Sequence, residues 1–105
     1  MSVYFVAQID IHDPASYEKY LATADRVFAR FNGEYLAVDR QPQVLEGSWS
    51  YERLVIIRFP TEADLKKWYF SPDYQEILKF RLAGARCDSL LVHGTGLETE
   101  IHPLP

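Results

Sequence analysis

An arginine stands where the apolar stripe of a helix should run. After Ser71-Pro72, the residues Tyr74, Ile77, Leu78, Arg81 and Leu82 recur at three- and four-residue intervals, which places them on one helical face. A planar guanidinium on such a face can clamp a carboxylate or an enolate through paired hydrogen bonds. It can equally lay its stem on the core and send its charged head to water or to a carboxylate, for which Glu46 and Asp10 are the candidates. Just upstream, Trp68-Tyr69-Phe70-Ser71-Pro72-Asp73-Tyr74-Gln75 gathers four aromatic rings around one helix break. Trp68, Tyr69 and Tyr74 can line an aromatic pocket in which the Tyr69 hydroxyl orients a ligand. The same spacing also makes Trp68 and Tyr69 a core face with Leu65.

Other groups are weaker. Glu46, between Leu45 and Gly47, is a general base if it is desolvated beside Trp49, and a turn carboxylate paired with an arginine otherwise. Tyr17 and Tyr20 open the first helical stretch as core positions, with a pocket hydroxyl as the alternative. His12, His93 and His102 form no H-x-H or H-x-x-x-H pair, so no metal site and no cofactor are expected. His93 can meet Gln8 and Asp10 across a sheet and is expected to be a buried, satisfied histidine, with a ligand or base as the alternative. Cys87 has no neighbouring base and reads as a packing residue. Gly-rich phosphate loops and nucleophile elbows are absent. The candidate ligand-binding set is therefore Arg81, Tyr69, Trp68, Glu46, Tyr74 and Tyr20, with no catalytic residue assigned.

The elements that must position these groups follow from local signals. Val3 to Ile11 is a β-branched and aromatic strand. Asp13-Pro14 caps a helix from about Pro14 to Phe31, with Tyr17, Tyr20, Leu21, Ala24, Val27, Phe28 and Phe31 on its apolar face. Asn32-Gly33 stops it. Glu34 to Asp39 is a second strand, Gln43 to Trp49 a short extended segment or hairpin arm, and Arg53 to Phe59 a third strand. Thr61 with Asp64 starts a helix over Glu62 to Phe70. Ser71-Pro72 breaks it and launches another to about Leu82, since proline disfavours helical geometry at the residue before it. Arg86 to His93 is the last strand. Residues 1–94 thus form one domain and 95–105 a tail that orders only on a partner. The order strand, helix, strand, strand, helix pair, strand is the α+β, ferredoxin-like βαββαβ arrangement, with a four-stranded antiparallel sheet.

Composition narrows the partners. The chain has 105 residues, one cysteine and a net charge of −4, and its 11 basic residues form no dense run. Nucleic acid and anionic membranes reward clustered Lys and Arg, so neither is expected as a partner. A lone cysteine forms no intrachain disulfide, which suits a reducing cytoplasm. The apolar run Val3 to Ala7 lacks a basic flank and reads as a strand, not a signal peptide. No apolar run approaches the roughly 20 residues of a membrane span.

Strand alternation predicts two apolar sheet faces. Val3, Phe5, Ala7, Ile9 and Ile11 oppose Tyr4, Val6, Gln8 and Asp10. Val55, Ile57 and Phe59 oppose Leu54, Ile56 and Arg58, and Leu90 and Val92 oppose Leu91 and His93. Helices cover only one face, and the other would expose a large apolar patch unless a second copy covered it. A homodimer is expected.

The combination of Asp13-Pro14, Tyr17 and Tyr20, Leu45-Glu46-Gly47-Ser48-Trp49, Arg53 with Val55, Phe59-Pro60, Trp68-Tyr69 with Ser71-Pro72 and Tyr74-Gln75, and Arg81 resembles the domain-of-unknown-function 1330 family (DUF1330) over about residues 3 to 94. The resemblance implies a dimeric α+β barrel, in which two ferredoxin-like subunits join sheet to sheet. Families related by this fold include cofactor-free antibiotic-biosynthesis-type monooxygenases, muconolactone isomerase-like proteins, haem-dependent chlorite dismutases and ligand-sensing domains of transcription regulators. Asp39-Arg40-Gln41-Pro42 departs from the Gly-rich turn that the family often carries there.

Three functions compete: a homodimer that binds a small molecule between sheet and helices, a cofactor-independent monooxygenase or isomerase acting on a small aromatic or carboxylated compound, and a structural or interaction module. In the enzyme, Arg81 would stabilise negative charge while Tyr69 or Glu46 handled a proton. Spacing forces no base next to an anion stabiliser, so the binding protein is favoured.

Overall fold

A computed structural model of the chain describes residues 1–96. The elements are β1 (Val3–Ile11), α1 (Pro14–Ala29), β2 (Glu34–Asp39), β3 (Arg53–Phe59), α2 (Glu62–Tyr69), α3 (Pro72–Gly84) and β4 (Ala85–His93). All strand pairs are antiparallel and the sheet order is β2-β3-β1-β4, the α+β ferredoxin-like arrangement. The expected tail lies, from residue 97 on, outside the described residues, as does His102. No described helix is long and apolar enough to cross a membrane.

Caps set the helix boundaries. The Asp13 carboxylate accepts from the Ser16 amide and hydroxyl, with Pro14 in the first turn of α1. The Ser71 hydroxyl holds the α2–α3 break from both sides: it donates to the Trp68 carbonyl at 2.8 Å and accepts from the Tyr74 amide at 3.1 Å. Regular α1 ends at Ala29 rather than Phe31. The amides of Phe31 and Asn32 reach back only three residues, to Phe28 and Ala29, so the last turn is tightened. Asn32 then takes the left-handed conformation, φ 68°.

α3 runs two residues past the expected Leu82, to Gly84, and β4 follows without a loop. The reason is tertiary. The Gly84 carbonyl accepts the amides of His12 at 2.9 Å and Asp13 at 3.0 Å, joining the end of α3 to the start of α1. A side chain at Gly84 would lie 2.7 Å from the Tyr17 amide nitrogen, so only glycine permits this approach.

The segment Gln43 to Trp49 pairs with no strand among the described residues, so it is not a hairpin arm. Pro42 has no amide to offer a ladder, and Gly47 takes φ 78°. Residues 40–52 form a long loop held at its end by side chains. The Glu52 amide donates to Asp10 at 2.6 Å, Arg86 donates to the Ser50 carbonyl at 2.8 Å and lies 4.0 Å over the Tyr51 ring, and the Tyr51 hydroxyl donates to Asp88.

The helices cover the face formed by Val3, Phe5, Ala7, Ile9, Val55, Ile57 and Phe59, all of which are buried. The register sets Val6 opposite both Ile56 and Leu90 on the other face, flanked by Tyr4, Leu54 and Val92. Leu90 and Val92 are exposed there, while Tyr4, Val6, Leu54 and Ile56 are half-buried. β2 has one extra residue at Leu36, because Tyr35 pairs with Ile57 and Ala37 with Ile56. This bulge puts both Tyr35 and Val38 on the helix-covered side, where plain alternation would separate them.

Candidate functional site

Arg81 is only 4% exposed, at the heart of the molecule. Three elements enclose it: α3 carries it along with Tyr74, α1 brings Tyr20, and β1 brings Phe5. Its Nη1 donates to the Tyr74 hydroxyl at 3.1 Å, and the Tyr74 and Tyr20 hydroxyls are 2.9 Å apart. The guanidinium carbon lies 6.0 Å from the Phe5 ring centre and 5.9 Å from that of Tyr20. Its Nε is buried without a partner. No ion pair among the described residues includes Arg81. A buried cation without an acid partner is costly, so its presence calls for a reason beyond packing.

The expected pairing of Arg81 with Glu46 or Asp10 does not form. Asp10 points to the uncovered sheet face, where Arg86 holds it at 2.5 Å. That bond, with the Glu52 amide, keeps the Asp10 carboxyl below its ordinary pKa. Glu46 stands exposed in the long loop, beside Val44, Leu45 and Trp49.

Electrostatics around Arg81 keep the tyrosines protonated. Burial raises Tyr74 to about 12 despite the opposing charge of Arg81. Burial likewise raises Tyr20 well above the usual tyrosine value, and the adjacent Tyr74 adds to it. Burial works against the charge of Arg81 itself, but Tyr74, Cys87, Tyr20 and Tyr69 outweigh it and the pKa moves upward. Burial also pushes up the Cys87 thiol, so it is no ready nucleophile. The cluster is thus one fixed cation feeding a pair of neutral hydroxyls. Arginine only donates, so Tyr74 accepts from it, and either hydroxyl of the Tyr74 and Tyr20 pair can donate to the other. With Tyr74 as the donor, Tyr20 is left with an O–H polarised by the guanidinium.

Arg81 and Tyr20 line a cavity of about 30 Å³ with Phe5, Tyr17, Tyr35 and Arg53. That is room for little more than a water molecule or one carboxylate group. Leu21, Tyr35 and Val38, 41%, 42% and 48% exposed, form its mouth between α1 and β2. No carboxylate or imidazole lines it among the described residues.

Arg53 and Tyr35 were not in the candidate set. Arg53 was legible: it has the parity of Val55, Ile57 and Phe59, so a charged residue stands on the core-facing row of β3. Tyr35 was not legible, because the bulge decides its face.

The remaining candidates separate. Trp68 is fully buried beneath α2, 5.1 Å from Phe59, 5.0 Å from Phe5 and 4.2 Å from Tyr74 between ring centres, with its Nε1 unpartnered. Tyr69 is half-buried and lines a groove of about 310 Å³ beside the β4 edge, with Leu65, Lys66, Phe70 and Leu91. Its ring centre lies 6.3 Å from that of Phe5 and 5.6 Å from that of Tyr74. His93 is exposed and bonds Glu62 at 2.6 Å rather than Gln8 or Asp10. The register places it opposite Val3, at the far end of β1 from Asp10.

Comparison with known proteins agrees with this architecture. Residues 2–95 match the family described as "Domain of unknown function (DUF1330)". A protein of unknown function from Rhodopseudomonas palustris, RPA0582, superposes with a TM-score of 0.75 at 16% identity, over 87% of this chain and 80% of its own. A dimeric ferredoxin-like protein of unknown function from Jannaschia sp. CCS1 gives 0.72 at 13% identity, over 90% and 100%. SnoaB, a cofactor-independent oxygenase from Streptomyces nogalater, gives 0.63 at 18% identity, over 94% and 98%. At such identities the likeness speaks for the fold. A comparison with curated proteins finds no match.

Proposed function

The chain belongs to the DUF1330 family, and from that premise we propose that it is a cytoplasmic homodimer that binds a small organic anion at Arg81, in the space between sheet and helices. The observation that carries this reading is the buried guanidinium with no acid partner among the described residues, beside a tyrosine-lined cavity. A ligand carboxylate or enolate would supply the missing charge, with Arg81 and Tyr20 as donors. The apolar, uncovered sheet face around Val6, Ile56 and Leu90 supports the dimer, and the Jannaschia neighbour is described as dimeric. The single cysteine supports a reducing compartment.

Calorimetric titration with benzoate and benzamide tests the ligand claim. Benzoate should bind the wild type and benzamide should not, and Arg81→Gln should weaken benzoate at least tenfold. Equal binding of the two compounds, or an unaltered Arg81→Gln, refutes the reading. A second reading, a cofactor-independent oxygenase like SnoaB, draws on the donor relay from Arg81 through Tyr74 to Tyr20, which would suit an enolate oxyanion. It ranks second because no base among the described residues lines the cavity. Oxygen uptake with a phenolic acid, lost in Tyr20→Phe, would promote it.

A further inference from the structure

We infer that the ligand of this site is an aromatic dianion, a flat ring carrying two acidic groups, anchored at one end by Arg81 and at the other by Arg53. This rests on the reading of Arg81 as an anion site and extends it to the substrate class. Arg53 lines the same cavity from β3, half-buried, its guanidinium carbon 5.6 Å over the Tyr17 ring. Like Arg81, it enters no ion pair among the described residues. Among the described residues the cavity wall therefore carries two positive charges and no negative one, in a chain whose net charge is −4. A monoanion would neutralise one of these charges and leave the other without a counter-charge in a poorly solvated place.

The rings give the shape. Tyr17 and Tyr20 are 5.7 Å apart between centres, with Arg53 over the first and Arg81 beside the second. The two guanidinium groups thus stand against one tyrosine pair, Arg53 at Tyr17 and Arg81 at Tyr20. Val55 and Ile57 of β3 also line the cavity. A flat apolar body fits between these aliphatic and aromatic surfaces, and its acidic ends reach the two planar forks. The cavity at rest, about 30 Å³, holds only the inner acidic group. The ring would take the place of the exposed Leu21, Tyr35 and Val38 side chains at the mouth.

Calorimetric titration of the wild type and Arg53→Gln with terephthalate, benzoate and trans-cyclohexane-1,4-dicarboxylate tests this. Terephthalate should bind the wild type at least tenfold more tightly than either other compound. Arg53→Gln should bring the terephthalate-to-benzoate ratio close to one, with the fold checked by circular dichroism. Arg53 is half-buried, so this variant is informative even if substitution of the deeper Arg81 perturbs folding. Equal wild-type affinities for terephthalate and benzoate, or an unchanged ratio in Arg53→Gln, overturn the dianion while leaving the Arg81 anion site standing. Equal binding of the saturated diacid overturns the flat ring. Failure of every anion to bind overturns both readings.

Discussion

Replacing Arg81 by methionine should not destabilise the protein. Arg81 is 4% exposed, and among the described residues its guanidinium makes a single hydrogen bond, to Tyr74, and leaves Nε unpartnered. Its removal orphans nothing nearby, because the Tyr74 hydroxyl keeps Tyr20 at 2.9 Å. Methionine is apolar, flexible and of similar length, so the volume stays filled. Exchange of buried charged groups for apolar ones of similar volume is often neutral or stabilising by about 1–4 kcal/mol. The expected change is therefore between zero and about 3 kcal/mol of added stability. In Tm this is a rise of roughly 5 °C per kcal/mol for a chain of this size. Tyr74→Phe should do the opposite, since it strips the buried guanidinium of that bond and the Tyr20 hydroxyl of its partner. The cost is about 2–4 kcal/mol, from a charged hydrogen bond lost and a buried polar group left unmet. The double variant should recover more than 1 kcal/mol of that loss, because the orphaned charge is gone. Urea denaturation followed by far-UV circular dichroism, at one protein concentration to hold any association constant, reads all three. If Arg81→Met loses more than about 2 kcal/mol, the guanidinium is a stabilising core element, and the anion-site reading loses its footing.

Gly84→Ala should cost at least about 2 kcal/mol, because the new methyl group meets backbone atoms, the Tyr17 nitrogen at 2.7 Å and the Asp13 oxygen at 2.9 Å, which cannot swing away. Thermal melting of the variant checks this, and an unchanged Tm would contradict the close approach of α3 to α1. At high pH, Tyr74 should hold its proton to about 12 while the unfolded chain releases it near the ordinary value of 10.0. The native state then binds more protons between these values, so stability is full below pH 10 and falls by up to about 3 kcal/mol as pH rises to 12. Denaturation midpoints measured across that range, compared with Tyr74→Phe, should show the slope in the wild type and a shallower one in the variant. Leu90→Asp, on the uncovered face opposite Val6, should convert a dimer into a folded monomer by size-exclusion chromatography with light scattering, and an unaltered mass would place the interface elsewhere.

The helix restart, the strand boundaries and the two sheet faces were legible because their causes are local. Ser71 caps α3 with its own hydroxyl, and alternation in Val3 to Ile9 sets which side chains go inward. Arg81 was singled out from helical spacing alone. Its partner was misjudged, although strand parity already set Asp10 on the far face of the sheet, away from α3. The same parity rule, applied to Arg53, would have added it to the candidate site.

Other features depend on contacts far apart in the chain. The bulge at Leu36 turns Tyr35 and Val38 to one side, and nothing in residues 34–39 announces it. Tyr20 and Tyr74 are 54 residues apart, and only the packing of α1 on α3 brings their hydroxyls to 2.9 Å. His93 meets Glu62 because the end of β4 lies beside the start of α2, a proximity that no spacing encodes. Local sequence determined the elements and which side of each faces inward, since caps and alternation act within a few residues. Tertiary packing alone decided that Arg81 is enclosed by hydroxyls and rings with no carboxylate beside it among the described residues, because such an enclosure needs α1, α3 and β1 at once.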